Sequence, residues 1–296
     1  KVGRIERPII KDAATRLNKF KAGDLDVLSL DRKDIPGVQQ DPALKKLLIP
    51  QPRPAVYYIG LNEIQCASLR DRKVRRAIAM AIDRTRIARD LLGGMPEAHG
   101  LVSPGVTGFR DDYKGLPFDP AAAKAELASA GFPDGKGFPP IELAYRAQAG
   151  DSQIVSEAVQ EQLKQNLGIA VNVRPMEWGA LLQTRNHNKL DMYYLSWYAD
   201  YLDPQNFLSF LFMSNAKLNH DGYKNLQFDA ICRQADSITD ESKRMALYNQ
   251  AEDIAIQDAA RVPIYFQVDA VLVNTRVKGL RSNLFGQLPN TTVTVD

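Results

Sequence analysis

The sequence has 296 residues, 45% hydrophobic and 25% charged, the composition of an ordinary globular protein with one large or two smaller domains. Its 38 basic and 35 acidic side chains leave a net charge of +3, which gives no reason to expect nucleic acid or an acidic surface as a partner. Apolar runs such as 77–82 fall far short of the roughly 20 residues a membrane-spanning helix needs. No apolar segment follows the basic start at Lys1, Val2, Gly3 and Arg4, so the sequence reads as a mature or truncated form.

Asp12 is placed to cap a helix carrying Ala13, Ala14, Leu17 and Phe20, with Gly23 as its stop. Residues 25–30 alternate apolar and polar, as a half-buried strand does. Pro50, Pro52 and Pro54 rule out a helix and read as an extended connection, followed by a strand signal at Val56-Tyr57-Tyr58-Ile59. A long helix is expected over 71–92, ended by Gly93 and Gly94, because Val74, Ala77, Ile78, Ala81, Ile82 and Leu91 recur at helical spacing. Arg70, Arg72, Lys73, Arg75, Arg76, Arg84, Arg86 and Arg89 stud the same stretch. Asp71, Asp83 and Asp90 are interleaved with them and no stacking aromatics accompany them, so they read as a solvated helix face.

After a Gly/Pro-rich loop over 93–117, Asp119 and Pro120 open a helix that Gly131 closes. Strand 141–146, helix 151–167, strand 169–174, helix 178–186 and strand 191–197 follow, with Ile154, Val155, Ala158, Val159 and Leu163 on one face of the first helix. That β-α-β-α-β order predicts an α/β fold with right-handed crossovers and a largely parallel sheet. Helices over 225–236 and 240–258 precede a final pair of strands, Pro263-Ile264-Tyr265-Phe266 and 270–273.

Enzymatic readings find no support. The sequence carries no GxSxG, HExxH, P-loop or GxGxxG run. His99, His187 and His220 lack metal-ligand spacing, and Glu252 and Asp253 are neighbours on a helix that point in different directions. Cys66 and Cys232 lie far apart and read as inert, partly buried thiols. No catalytic residue, metal or cofactor is expected.

In an open α/β sheet, ligands sit beyond the carboxyl ends of the strands. The strand over 191–196 runs into Trp197-Tyr198-Ala199-Asp200-Tyr201, which nominates that loop. A fixed carboxylate there can receive an ammonium, and amphipathic rings can line pockets. On residue chemistry alone, Asp200 serves as readily as a cap or turn residue and Trp197 as core. Tyr194, Tyr198 and Tyr201 divide evenly between core and surface.

Asn62 followed by Arg72-Lys73-Val74-Arg75-Arg76-Ala77-Ile78-Ala79-Met80-Ala81-Ile82-Asp83-Arg84 resembles the "N…VRxAxxxAxDR" signature of the family 5 extracellular solute-binding proteins. Phe118-Asp119-Pro120 through Leu127, Ala130 and Gly131 is similar to the family's "YDP..AKxLLxxAG" helix, and Leu167-Gly168-Ile169-Ala170-Val171 to its "LGI.V" strand. Leu190-Asp191-Met192, Trp197-Tyr198-Ala199-Asp200 and Asp203-Pro204 resemble its "YD…xW.AD…DP" segment; Phe228-Asp229, Asp240, Arg244, Leu247-Tyr248 and Val262-Pro263-Ile264 complete the ordered series.

The resemblance implies a periplasmic-binding-protein-like clamshell of type II. Residues 1–58 would be a piece of the first lobe, 59–262 the second lobe, and 263–296 the return into the first. The bulk of the first lobe would lie outside this sequence. It implies an extracytoplasmic, periplasmic or extracellular substrate-binding subunit of an ABC transporter. Such a subunit is a monomer that captures peptides, closes its lobes about them and delivers them to permease subunits in the membrane. The peptide backbone would be held as an added strand. Asp200 would pair with the peptide's α-amino group and Trp197 pack against it, with Tyr198, Tyr201, Tyr194 and Asn62 as further ligand-binding candidates. Tyr194 stands where some oligopeptide binders carry a basic residue, so the receptor of the peptide's carboxylate is unassigned. Two alternatives are the same fold carrying a non-peptide solute (oligosaccharide, opine or metal chelate) and a ligand-sensing domain of a regulator.

Overall fold

The structure, a computed structural model, describes residues 2–281, 284–285 and 292–296. In chain order its elements are α1 (Ala13–Lys21), β1 (Val27–Ser29), α2 (Ile35–Gln40), α3 (Pro42–Lys45), β2 (Leu48–Leu61), α4 (Arg72–Met80), a π-helical segment Arg86–Leu91, α5 (Pro120–Ser129), β3 (Ile141–Arg146), α6 (Gly150–Leu167), β4 (Val171–Met176), α7 (Trp178–Asn186), β5 (Met192–Tyr198), α8 (Ser209–Phe212), α9 (Leu226–Ser237), α10 (Glu241–Gln257), β6 (Arg261–Val273), β7 (Val277–Lys278) and β8 (Thr294–Val295). The chain divides into two compact units, Lys1–Pro54 with Gln267–Asp296, and Ala55–Phe266. Both divisions fall inside continuous strands, β2 and β6, where the sequence reading placed them at 58/59 and 262/263.

In the smaller unit, the Asp12 carboxylate accepts the Thr15 amide at 2.7 Å and starts α1, and Gly23 at φ +84° lets the chain turn away after it. Phe20 from α1 packs with Leu28, Val38, Leu44 and Leu272 into a core of its own. Strand β1 runs antiparallel to β6, Val27 opposite Val273.

The larger unit holds the crossover motif. Strand β3 pairs in parallel with both β4 and β5, and α6 and α7 carry the crossovers. Antiparallel β2 flanks β5 in a register running from Ala55 opposite Tyr198 to Leu61 opposite Met192, and β6 lies beyond β2. One position demands glycine: a Cβ on Gly60 would lie 2.2 Å from the ring of Tyr193, its cross-strand partner.

Several expectations need correction. The helix over 71–92 is broken after Met80. The Met80 carbonyl accepts the Asp119 amide (2.9 Å), the Ala81 carbonyl accepts Asn166 Nδ2 (2.9 Å), and the Asp83 amide donates to Gln162 Oε1 (2.7 Å). With its end groups satisfied from elsewhere, the helix can stop, and the Asp83 carboxylate then caps the amide of Arg86 to start the next segment. The basic face is only partly solvated. Arg75 and Arg84 are buried and spend their donors on carbonyls, Arg75 on Leu69 and Asp258, Arg84 on Pro263 and Leu116. Residues 50–54 are part of β2 rather than a connection, and the expected final pair of strands is one strand, β6. On α6, Ile154 is solvent-facing while Val155, Ala158, Val159 and Leu163 are buried. Both cysteines are free thiols, and burial pushes Cys232 up to about 12.

Candidate functional site

Side chains alternate along β5, so Tyr194, Ser196 and Tyr198 share one face while Trp197 points to the other. On the tyrosine face, Tyr57 of β2 sits opposite Ser196, with Tyr194 and Tyr198 as its diagonal neighbours. Its ring stacks on Tyr265 (4.6 Å, 8°) and meets Tyr198 edge-on, their hydroxyls 3.3 Å apart. Tyr194 is closed off at 2% exposure, its hydroxyl 2.9 Å from that of Tyr265; burial, reinforced by Tyr265, keeps it well above the ordinary tyrosine range. Tyr198, by contrast, is 41% exposed.

Beyond β5 the chain enters the turn that carries Asp200 and Tyr201. Both are exposed, and the Tyr201 hydroxyl donates to Gln205 Oε1 at 3.1 Å. Trp197 is half-buried; its ring leans on Phe210 with centroids 6.0 Å apart. The two nominated residues meet at a third that sequence reasoning missed. Asn206 Oδ1 accepts from Trp197 Nε1 (2.8 Å) and from the Asp200 amide (3.1 Å), while its Nδ2 donates to Asp200 Oδ2 (3.4 Å). Asn206 is fully buried at the end of a 3-10 turn, Pro204–Asn206, started by the Asp203 carboxylate accepting the Gln205 amide. Arg244 of α10 grips that carboxylate with two bonds of 2.6 and 2.8 Å. Partial burial works against the charge on Asp203, but the bonds from Arg244 and the Gln205 amide outweigh it and hold the pKa below the ordinary carboxylate value.

Asn62 stands apart. It follows the last residue of β2, whose partner opens β5, so the length of the strand, roughly 20 Å, separates it from the Asp200 turn. Both ends of its amide serve the backbone: Nδ2 donates to the Leu190 carbonyl (2.7 Å), and Oδ1 accepts the amides of Ile64 and Gln65. The structure thus brings Trp197, Asp200 and Tyr201 together at the carboxyl end of β5, with Tyr198 on the adjoining face, and leaves Tyr194 and Asn62 inside. At the carboxyl end of neighbouring β3, Arg146 lies over the Trp178 ring at 5.1 Å. Among the described residues, no group of three or more His, Cys, Asp or Glu is placed to hold a metal ion, and no helix is long and apolar enough to cross a membrane.

Residues 1–219 match the family described as bacterial extracellular solute-binding proteins, family 5 Middle. The oligopeptide-binding protein OppA of Bacillus subtilis is 30% identical over 290 residues, which cover 95% of this chain and 52% of that protein. The probable deoxycholate-binding periplasmic protein YgiS of Escherichia coli is 32% identical over 280 residues, 93% of this chain and 51% of that protein. The solved structure of the Escherichia coli murein tripeptide binding protein MppA superposes with a TM-score of 0.82 at 28% identity, over 96% of this chain and 56% of that one. The chain therefore spans about half the length of the curated relatives it matches. Its α/β architecture is that of the periplasmic binding proteins to which it is similar, and the chain belongs to the family 5 bacterial extracellular solute-binding proteins.

Proposed function

We propose that this chain supplies the ligand-binding loop of an extracytoplasmic substrate-binding subunit, one that captures peptides and hands them to the membrane permease of an ABC importer. The observation that carries the reading is the exposed carboxylate of Asp200, held at the carboxyl end of β5 beside Trp197. A carboxylate so placed is a receptor for the free α-ammonium of a peptide, and such a charge-assisted bond contributes about 1.5–3 kcal/mol when shielded from water. Trp197 and Tyr201, in the same loop, supply ring surface, and Tyr198 extends it along the sheet. Relatives named for oligopeptides and dipeptides support the same ligand class.

The protein acts by binding and release rather than by catalysis. It works as a monomer in the periplasm or outside the cell, and its contact with the membrane runs through the transporter. The smaller and larger units correspond to part of the first lobe and to the second lobe of the clamshell. Native mass spectrometry of the complete gene product, isolated from its own cells and then denatured to release its cargo, tests the reading. A family of peptide masses supports it; a single non-peptide solute, such as a sterol acid or a sugar, contradicts it.

A further inference from the structure

We propose that Asn206 is a positioning residue that sets the protein's preference for a free amino terminus, an inference that rests on Asp200 being the ammonium receptor. The orientation of its amide follows from chemistry. Trp197 Nε1–H and the Asp200 backbone N–H can only donate, and both converge on one atom of Asn206, at 2.8 and 3.1 Å. That atom must be the oxygen, so the amide nitrogen faces the Asp200 carboxylate, 3.4 Å from Oδ2. One buried side chain therefore fixes the acid's backbone, its carboxylate and the adjacent indole together.

Asn206 is itself anchored to a rigid element. Its backbone amide donates to the Asp203 carbonyl (3.1 Å), and the Asp203 carboxylate is clamped by Arg244 on the long helix α10. The loop carrying an exposed acid thus takes its geometry from a helix some forty residues further on. A surface carboxylate on a loose loop must be ordered when the ligand arrives, and that cost is subtracted from affinity; one whose backbone is already held needs less ordering. The indole serves free and acetylated peptides alike, whereas the carboxylate serves only the free amine, so the signature of Asn206 is a lost preference and not a lost affinity alone.

Calorimetric titration of the complete gene product with one peptide, first with a free and then with an acetylated amino terminus, reads this out for wild type, Asn206→Ala and the Asp200→Asn background. The expected result is a wild type that favours the free amine, and an Asn206→Ala variant in which that preference shrinks by about tenfold on top of any loss that both peptides share through Trp197. With Asp200→Asn already in place, Asn206→Ala should have no further effect on the preference. Should Asn206→Ala not fold, Asn206→Ser retains an acceptor at the turn and is expected to lose part of the same preference. A wild type that binds both peptides alike removes the Asp200 reading, and this inference with it. A discriminating wild type whose preference survives in the Asn206 variants, with both peptides weakened equally, overturns the inference alone and leaves Asn206 a structural residue.

Discussion

Arg261 opens β6 at 1% exposure, its Nε donating to Asp221 Oδ2 at 2.8 Å, and the other carboxylate oxygen of Asp221 accepts the Tyr193 hydroxyl. The guanidinium lies between the rings of Tyr58 (4.5 Å) and Phe212 (4.6 Å), and its Nη1 and Nη2 have no hydrogen-bond partner among the described residues. Replacing Asp221 with alanine would strand a buried cation and a buried hydroxyl at once. Losing one partner of such a pair costs ~3–5 kcal/mol, because the remaining charge stays desolvated. In a unit of this size each kcal/mol lowers the melting temperature by about 2–4 °C, so calorimetry should find Asp221→Ala melting about 6–20 °C below wild type. The double variant Asp221→Leu with Arg261→Met should recover much of that loss, since an apolar pair removes both charges. An Asp221→Ala loss under about 1 kcal/mol, or a double variant no better than the single one, would mean that the Arg261 charge does not depend on Asp221.

Burial pushes Glu63 up to about 7 from the ordinary 4.5, against the pull of Arg75. The folded chain then holds an extra proton between those two values, so stability falls as pH rises through that window. Urea midpoints at either end of it should differ in wild type and differ less in Glu63→Gln; an unchanged difference would discount the shift. Gly60→Ala would drive a methyl group into the Tyr193 ring and strain its bond to Asp221, and should cost at least about 2 kcal/mol in denaturant titration. Asp200→Asn should weaken a free-amine peptide by roughly 10- to 150-fold in calorimetry without shifting the melting temperature, because the side chain is exposed and forms one long bond.

The crossover motif was legible in the sequence because its signals are local: the apolar periodicity of α6 and the apolar strands before and after it each act within a few residues. The break after Met80 was not, since the groups that satisfy it, Asp119, Gln162 and Asn166, come from distant segments. Arg75 and Arg84 read as surface for the same reason: the carbonyls that make their burial tolerable belong to other elements. At the site, Trp197 and Asp200 could be nominated from their position after an apolar strand. Asn62 entered through its motif, yet it works at the other end of the strand. Asn206 carried only a faint signal, the second of two amides, Gln205 and Asn206, between the Asp203-Pro204 turn and the apolar Phe207-Leu208, and only the folded loop turns it into a contact with both nominated residues.

The most direct measurement is a crystal structure of the complete gene product with a bound peptide. The peptide's terminal nitrogen should lie about 2.7–2.9 Å from the Asp200 carboxylate, with the Trp197 ring against the ligand. A peptide seated with that nitrogen on another acid, and Asp200 facing only solvent, would contradict it.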